Sequence, residues 1–377
     1  MECLYRSREL PLRMAQRVLS IDVLRFAACA LVLGCHADWP ELTGPLAPLW
    51  QAWRTGGWVG VDLFFVLSGY LIGGLLLSEL RRTGTLRVGR FLLRRGWKIY
   101  PAFYALIGFV LLFKAVHEIG PFSWRDTLSE LFFLQNYGGH LLLHTWSLAV
   151  EEHFYLLLPL LLLALRGRVA WLPYIVAATV MACLAVRVAI GLPGAHMFTH
   201  ARIDSLLCGV LLAYGHKYHA EAFERFCRKW KAPLAAGGTA LLLPAFFFDH
   251  LTTAWIHTIG FTLFYVGSGM LLAAALAASW KATWPVKFLA GLGAHSYSIY
   301  LWHVPMLMWG VPLLERAAGI EFNPWMRVAV YMAGSLGLGV LLGRMIEQPC
   351  LALRDRLTNR GAAAAGQLPL AGERGLA

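Results

Sequence analysis

An all-α, polytopic membrane protein is the fold class this sequence predicts, and three observations predict it. Hydrophobic residues make up 58% of the 377 and charged residues only 14%, and the mean hydropathy is +0.59, well beyond the usual soluble composition. Apolar windows long enough to cross a bilayer recur along the whole chain. The basic residues between those windows fall mostly into alternate loops, as the positive-inside rule requires.

Taken in order, the windows lie at about 20–38, 58–78, 97–115, 145–166, 169–190, 201–216, 232–249, 255–279, 287–311 and 325–346, which predicts ten helices. The amino terminus places arginines ahead of an apolar run, as a signal peptide does. Asp22 and Arg25 interrupt that run and no small-x-small cleavage site succeeds it, so it is read as a first span. An even number of spans puts both termini on one side. The amino-terminal segment, the loops near 79–98, 164–171, 215–232 and 280–288, and the region from 344 onward hold 25 of the 33 Lys and Arg. The opposite side holds only Arg54, Lys114, Arg125, Arg187, Arg202, Arg316 and Arg327. Both termini are therefore predicted cytoplasmic. The expected organisation is a cytoplasmic segment 1–19, a ten-helix transmembrane domain 20–349, and a disordered tail 350–377 rich in small residues. No separate soluble domain is visible, and TLSELFFL in the outer segment between Lys114 and Thr145 reads as a short or re-entrant helix.

The net charge of +12 is the excess that topology demands, so nucleic acid is not an expected partner. Seven cysteines form no CxxC or CxxH pair and read as buried free thiols rather than a metal site.

Ionisable residues inside spans carry the functional information, because each costs at least a few kcal/mol in hydrocarbon. Arg25 and His36 stand eleven positions apart in the first span. At about 100° per residue they return to within roughly 20° of one face, about 16 Å apart along the axis. In HTWSLAVEEHFYLLLP the adjacent carboxylates Glu151 and Glu152 point about 100° apart, and Ser147, Glu151 and Tyr155 share one stripe, so Glu151 is taken as inward-facing. ARIDSLLCG places Arg202 and Asp204 at the start of the sixth helix, where they are candidates for a mutual ion pair. SYSIYLWHVP brings His303 to a similar depth. Four segments thus deliver polar groups to one level, as a polar cavity for transport or for catalysis would need. Ser68-Gly69-Tyr70 near mid-membrane reads as close helix packing or as a narrow passage. Arg87, Arg90, Arg94, Arg95 and Lys98 read as topological charge, as an anionic-lipid contact or as a phosphate clamp. Trp39, Trp53, Trp58, Tyr137 and Trp146 suit an interfacial belt or a sugar-stacking surface.

In order along the chain, Arg25-x10-His36, GVDLFFVLSGYLI, LRRGWKIYPAFY, HTWSLAVEEHFYLLLP, ARIDSLLCG, SYSIYLWHVP and IEQP resemble the acyltransferase-3 family of integral membrane acyltransferases, from about Ser20 to Pro349. The resemblance implies about ten helices in a bacterial cytoplasmic membrane. It also implies transfer of an acyl group, usually acetyl, from cytoplasmic acyl-coenzyme A to a hydroxyl of an extracytoplasmic acceptor, most often a saccharide, with no metal. The family's Arg-x10-His falls on Arg25 and His36, its Ser-Gly-Tyr on Ser68 to Tyr70, and its Glu-x-x-Phe-Tyr on Glu151, Phe154 and Tyr155. Its basic Arg-x-x-Arg appears as Arg95-x-x-Lys98, a point charge in place of a planar fork, and His153 stands where Gln is common.

The resemblance also implies a division of labour among these residues. Coenzyme A phosphates rest on Arg94, Arg95 and Lys98, Arg25 lines the passage, and the pantetheine arm passes Ser68, Gly69 and Tyr70. His36 acts as general base or as a transiently acylated nucleophile, oriented or charge-balanced by Glu151. Arg202 stabilises the oxyanion, with Asp204, His303, Trp146 and Tyr155 on the acceptor side. The rival reading is a transporter or flippase that moves a glycan or small anion without chemistry.

Overall fold

In hydrocarbon a chain must satisfy its backbone N–H and C=O groups within each segment, which leaves helices as the solution for apolar runs of this length. The computed structural model describes residues 2–37, 42–120, 123–191 and 196–364, with side chains from 19 to 357 within them. Among the described residues there are helices and no strand. In chain order the α-helices are α1 (Glu2–His36), α2 (Ala47–Gly56), α3 (Val59–Thr83), α4 (Val88–Val116), α5 (Trp124–Leu131), α6 (Trp146–Ala164), α7 (Leu172–Ile190) and α8 (Thr199–Tyr218). They continue with α9 (Ala220–Lys229), α10 (Lys231–Leu242), α11 (Phe261–Ala277), α12 (Trp284–Ala294), α13 (Ser296–Pro305), α14 (Val311–Ala318), α15 (Pro324–Leu342) and α16 (Gln348–Ala364). π-Helical turns occupy Ile256–Gly260, Met306–Gly310 and Gly343–Glu347.

Local chemistry sets the ends. α3 stops where Gly84 takes a φ of +70° and returns its N–H to the Leu80 carbonyl, the left-handed closure that glycine adopts without strain. Ser123 caps α5 by accepting from the Asp126 N–H at 3.2 Å. Asn323 caps α15 by accepting from the Met326 N–H at 2.9 Å, ahead of Pro324 in the first turn. α5 is the short helix expected at TLSELFFL. α16 continues past 349 to Ala364, and the tail from 365 lies outside the described residues, as does Trp39.

Seven of the ten expected spans are matched by length and composition. Among the described residues seven helical stretches are long and apolar enough to cross a membrane: Leu19–His36, Val59–Thr83, Val88–Val116, Leu143–Ala164, Val169–Ile190, Ile256–Ala277 and Pro324–Leu357. The other three windows are helical but fall short for identifiable reasons. α8 carries Arg202 and Asp204 and ends in His216-Lys217-Tyr218. α10 gives way at Leu242 to a 3-10 turn over Leu243–Phe246. The 287–311 window is divided between α12 and α13 at His295.

The chain forms two units. The first contains residues 1–38, 43–86 and 150–294, and the second contains 39–42, 87–149 and 295–377. In the first, α3 and α8 approach until their backbones touch. A Cβ at Gly69 would run into the Leu206 carbonyl, and one at Gly209 into the Val66 carbonyl and the Tyr70 amide nitrogen. α1 meets α12 in the same way, with Gly293 against the backbone of Asp22. In the second unit Gly339 of α15 lies against the backbone of Ile299 in α13. Small residues at helix contacts are how membrane helices gain packing where lipid offers no hydrophobic drive.

The α3–α8 contact yields a stability prediction. Gly69→Ala should cost about 1–3 kcal/mol by overpacking, seen as a lowered thermal midpoint of the detergent-solubilised protein. Gly74→Ala, whose added Cβ would meet nothing nearer than 3.8 Å, should leave the midpoint unchanged or raise it slightly. Equal midpoints for the two variants would refute the backbone contact.

Candidate functional site

Buried charge organises the first unit. Asp62, Arg187, Arg202 and Asp204 are each at most 2% exposed, a placement that hydrocarbon tolerates only with pairing. The pairing is crossed. Arg202 Nη2 donates to Asp62 Oδ1 at 2.6 Å, and Arg187 Nη1 donates to Asp204 Oδ2 at 2.9 Å. The expected Arg202–Asp204 pair is therefore corrected: neighbours two positions apart on a helix point some 200° apart, and each finds its partner on another helix. Arg187 also donates to the Ala201 carbonyl at 2.7 Å and to Thr262 Oγ1 at 2.8 Å. Arg202 lies 4.2 Å from the centroid of the Phe261 ring, a cation–π contact, while its Nε and Nη1 have no hydrogen-bond partner among the described residues.

α1 runs unbroken through Arg25 and His36, so their expected spacing along one helix holds. Arg25 is paired within the helix to Asp22, Nη1 to Oδ1 at 3.4 Å. His36 ends the helix, and its Nδ1 lies 3.0 Å from the Val32 carbonyl. A carbonyl only accepts, so Nδ1 carries the proton and Nε2 is the basic nitrogen in the neutral ring. On α6 the Glu151 and Tyr155 stripe appears as expected: Tyr155 donates to Glu151 Oε2 at 2.7 Å, and Ser68 Oγ lies 2.9 Å from the Tyr155 hydroxyl. Tyr155 has one proton and spends it on the carboxylate, so Ser68 donates to Tyr155. Glu152 is buried as well, and His153 shares a 2.7 Å hydrogen bond with Thr199. Of the Ser68-Gly69-Tyr70 motif, Ser68 faces α6, Gly69 is the packing contact with α8, and the buried Tyr70 hydroxyl meets His216 Nδ1 at 2.8 Å.

The second unit holds the remaining expected residues. Arg94 and Arg95 are half-buried on α4. Lys98, also on α4, is paired with Glu347 of the IEQP motif, and Glu347 accepts in addition from Ser298 Oγ at 2.9 Å. His303 is fully buried and its Nδ1 donates to the Tyr300 carbonyl at 2.5 Å. Its ring meets that of His144 edge-on, centroids 4.9 Å apart. Tyr300 donates to the His144 carbonyl at 2.6 Å and receives Ser147 at 2.7 Å, next to the half-buried Trp146. The structure thus groups His36, Glu151, Tyr155, Ser68, Arg202 and Asp204 in one unit. It assigns His303, Trp146 and the basic stretch of α4 to the other.

Sequence reasoning missed Asp62, Arg187, His216, His144 and Glu347. Two of these had a signal: Asp62 is a lone carboxylate inside GVDLFFVLSG, and Arg187 a lone cation inside MACLAVRVAI. By charge counting Arg187 reads as a loop residue, whereas it stands in the last turn of α7.

The crossed pairs predict non-additive stability. Asp62→Asn or Arg202→Gln alone leaves a buried charge and should cost about 3–5 kcal/mol. The double substitution should recover a substantial part of that loss in the same thermal unfolding assay. Strict additivity would show that the two groups do not interact.

Outside the spans, Glu130 on α5 accepts from Thr145 Oγ1 at 2.5 Å and from the Leu141 N–H at 3.1 Å, tying the 132–142 segment to the start of α6. Burial pushes its carboxyl up to about 7, against the pull of these hydrogen bonds. A folded pKa above the unfolded value of about 4.3 means that this group's contribution is complete below that value and is lost as pH rises through about 7. Protection of the 132–145 amides from hydrogen exchange, corrected for intrinsic rate, should therefore fall between about pH 4.3 and about pH 7, and Glu130→Gln should abolish the trend.

Comparison with known proteins supplies the family. A family model described as an acyltransferase domain matches residues 18–344. The peptidoglycan O-acetyltransferase OatA of Listeria monocytogenes is 28% identical over 366 residues, covering 88% of this chain and 55% of its own. The O-acetyltransferase OatA of Staphylococcus aureus strain NCTC 8325 is 31% identical over 283 residues, covering 68% of this chain and 47% of its own. The chain thus spans about half the length of the curated relatives it matches. No solved structure matches. The matched region runs through α1, α3, α6 and α8, where the charged and hydroxyl-bearing residues gather, and by that match the chain belongs to the acyltransferase-3 family.

Proposed function

We propose that the protein is a multi-pass O-acyltransferase of a bacterial cytoplasmic membrane, moving an acetyl group from cytoplasmic acetyl-coenzyme A to a hydroxyl of an extracytoplasmic saccharide. The observation that carries this reading is the state of His36. Its Nδ1 proton is held by the Val32 carbonyl at 3.0 Å, which makes Nε2 a base of fixed orientation, the arrangement that general-base catalysis requires. Family membership supplies the reaction class, and the names of the relatives, O-acetyltransferases, one of peptidoglycan, suggest the acceptor class.

In the proposed reaction His36 Nε2 takes the proton of the acceptor hydroxyl as that oxygen attacks the thioester carbon. The tetrahedral intermediate collapses with cleavage of the C–S bond. The proton then passes to the thiolate, giving the acetyl ester and free coenzyme A. Attack by Nε2 itself, with an acetyl-imidazole intermediate, would use the same geometry. The unused Nε and Nη1 donors of Arg202 suit it to the oxyanion, and Arg187, through Asp204, belongs to the charge set that holds the region neutral. Ser68, Tyr155 and Glu151 form a relay that ends on a carboxylate, with Glu151 balancing charge. Arg25, Gly69 and Tyr70 line the donor passage in this reading. Arg94 and Arg95 contact the coenzyme A phosphates, where planar guanidinium forks bind bidentately. Lys98 differs, since Glu347 already matches its charge, and we assign it to anchoring α4. Asp204, His303, Trp146 and Tyr155 remain on the acceptor side of the proposal.

Purified protein in proteoliposomes, given labelled acetyl-coenzyme A and soluble glycan strands, should add one acetyl increment per modified sugar. His36→Ala should lose about 10²–10⁴-fold of that rate at an unchanged thermal midpoint. Full transfer by a folded His36→Ala protein would overturn the assignment. Saccharide that crosses the bilayer with no mass increment would identify a transporter instead.

A further inference from the structure

Outside these residues the first unit contains a second polar cluster. His196 precedes α8, His250 lies in the connection after Phe246, and His257 sits in the π-helical turn Ile256–Gly260. The His196 ring centroid is 5.6 Å from that of His250 and 6.5 Å from that of His257. Trp58 closes another side, 5.0 Å from His250.

Three features distinguish the cluster from chance proximity. His257 is 5% exposed and neither ring nitrogen has a hydrogen-bond partner among the described residues. The Leu251 backbone is near enough to act electrostatically without reaching hydrogen-bond geometry. Leaving a buried imidazole so is unfavourable, which calls for a compensating ligand or water. It also stands on a π-turn, a rare backbone form that is frequent at functional sites. Finally, the cluster is open on one side: His196, His250 and Trp58 are partly exposed while His257 lies at the floor.

The charge balance selects the ligand. Burial holds His250 down to about 4 despite Asp249 beside it, so its ring is neutral at physiological pH. The cation that acts on His250, Arg202, is already matched by Asp62. Anions therefore find no net positive charge, and no three-residue group with metal-holding geometry occurs among the described residues. A neutral imidazole offers one donor and one acceptor, the complement of a sugar hydroxyl, and Trp58 adds an apolar ring face. Gly57, the neighbour of Trp58, packs against the backbone of Cys35, the residue next to His36, so the cluster begins beside the proposed base.

We propose that His196, His250 and His257, with Trp58, form a subsite for a neutral, polyhydroxylated sugar unit of the acceptor. This rests on the reading of the protein as a saccharide acyltransferase, and the test separates the two.

With soluble glycan strands as acceptor, His257→Ala and His250→Ala should each raise the acceptor KM about tenfold, equivalent to about 1.4 kcal/mol, while the KM for acetyl-coenzyme A stays put. His257→Gln, which keeps volume and hydrogen bonding, should recover part of the loss and controls for folding. An unchanged acceptor KM in folded His257→Ala overturns the subsite while leaving the transferase intact. If the wild type transfers nothing, equilibrium dialysis with labelled glycan strands decides. Weaker binding by His257→Ala than by wild type supports the subsite without the enzyme, and equal binding overturns it.

Discussion

Four charges buried between helices set the terms for the first unit. An isolated ion in a low-dielectric interior is so costly that Asp62, Arg187, Arg202 and Asp204 must be met wherever they stand, and they are met across helices, α3 to α8 and α7 to α8. Thr262 and Phe261 draw α11 into the same arrangement. Net stability is not the main gain, since buried ion pairs roughly break even against well-packed apolar groups. They supply register, because sliding α8 by one residue would turn Arg202 away from Asp62 by about 100°. The glycines of α3 and α8 then let the two backbones close at that register.

Register matters because the reactive groups ride on the same helices. Ser68 is six residues beyond Asp62 on α3, and its hydroxyl must meet Tyr155 of α6 for the relay to Glu151 to exist. A hydrogen bond tolerates only a few tenths of an ångström. The paired charges and close glycine contacts therefore act as the rigid frame, and the hydroxyl relay as the part that benefits from it. In the second unit the equivalent frame is the Lys98–Glu347 pair with Ser298, accompanied by the buried rings of His144 and His303.

Much of this was legible in the sequence for simple reasons. Helical class and membrane residence follow from composition, which no folding detail can alter. The Glu151–Tyr155 contact follows from four-residue spacing on a helix, and the Arg25–His36 relation from an unbroken apolar run. Partnerships between distant segments were not legible. Nothing in ARIDSLLCG indicates that Arg202 prefers Asp62, 140 positions away, to Asp204 two positions on. Lys98 reads as a phosphate ligand because its acidic partner lies 249 residues downstream. At α8, α10 and α12–α13 the expected spans are helical but do not meet the length and apolarity of the other seven, because hydropathy windows cannot register an internal charge pair or a broken axis.

The placement of His36 at the very end of α1 has a mechanical consequence. Its proton-bearing nitrogen is fastened to the carbonyl one turn back on the same helix, so the ring's aim is tied to α1. Any twist of that helix about its long axis swings the base through the same angle and carries Arg25, about three turns below, along with it. α1 is in this sense a crankshaft, with its two polar residues as throws on a common shaft. A disturbance felt at the arginine end would reach the base as a change of direction, with no side chain between them having to move.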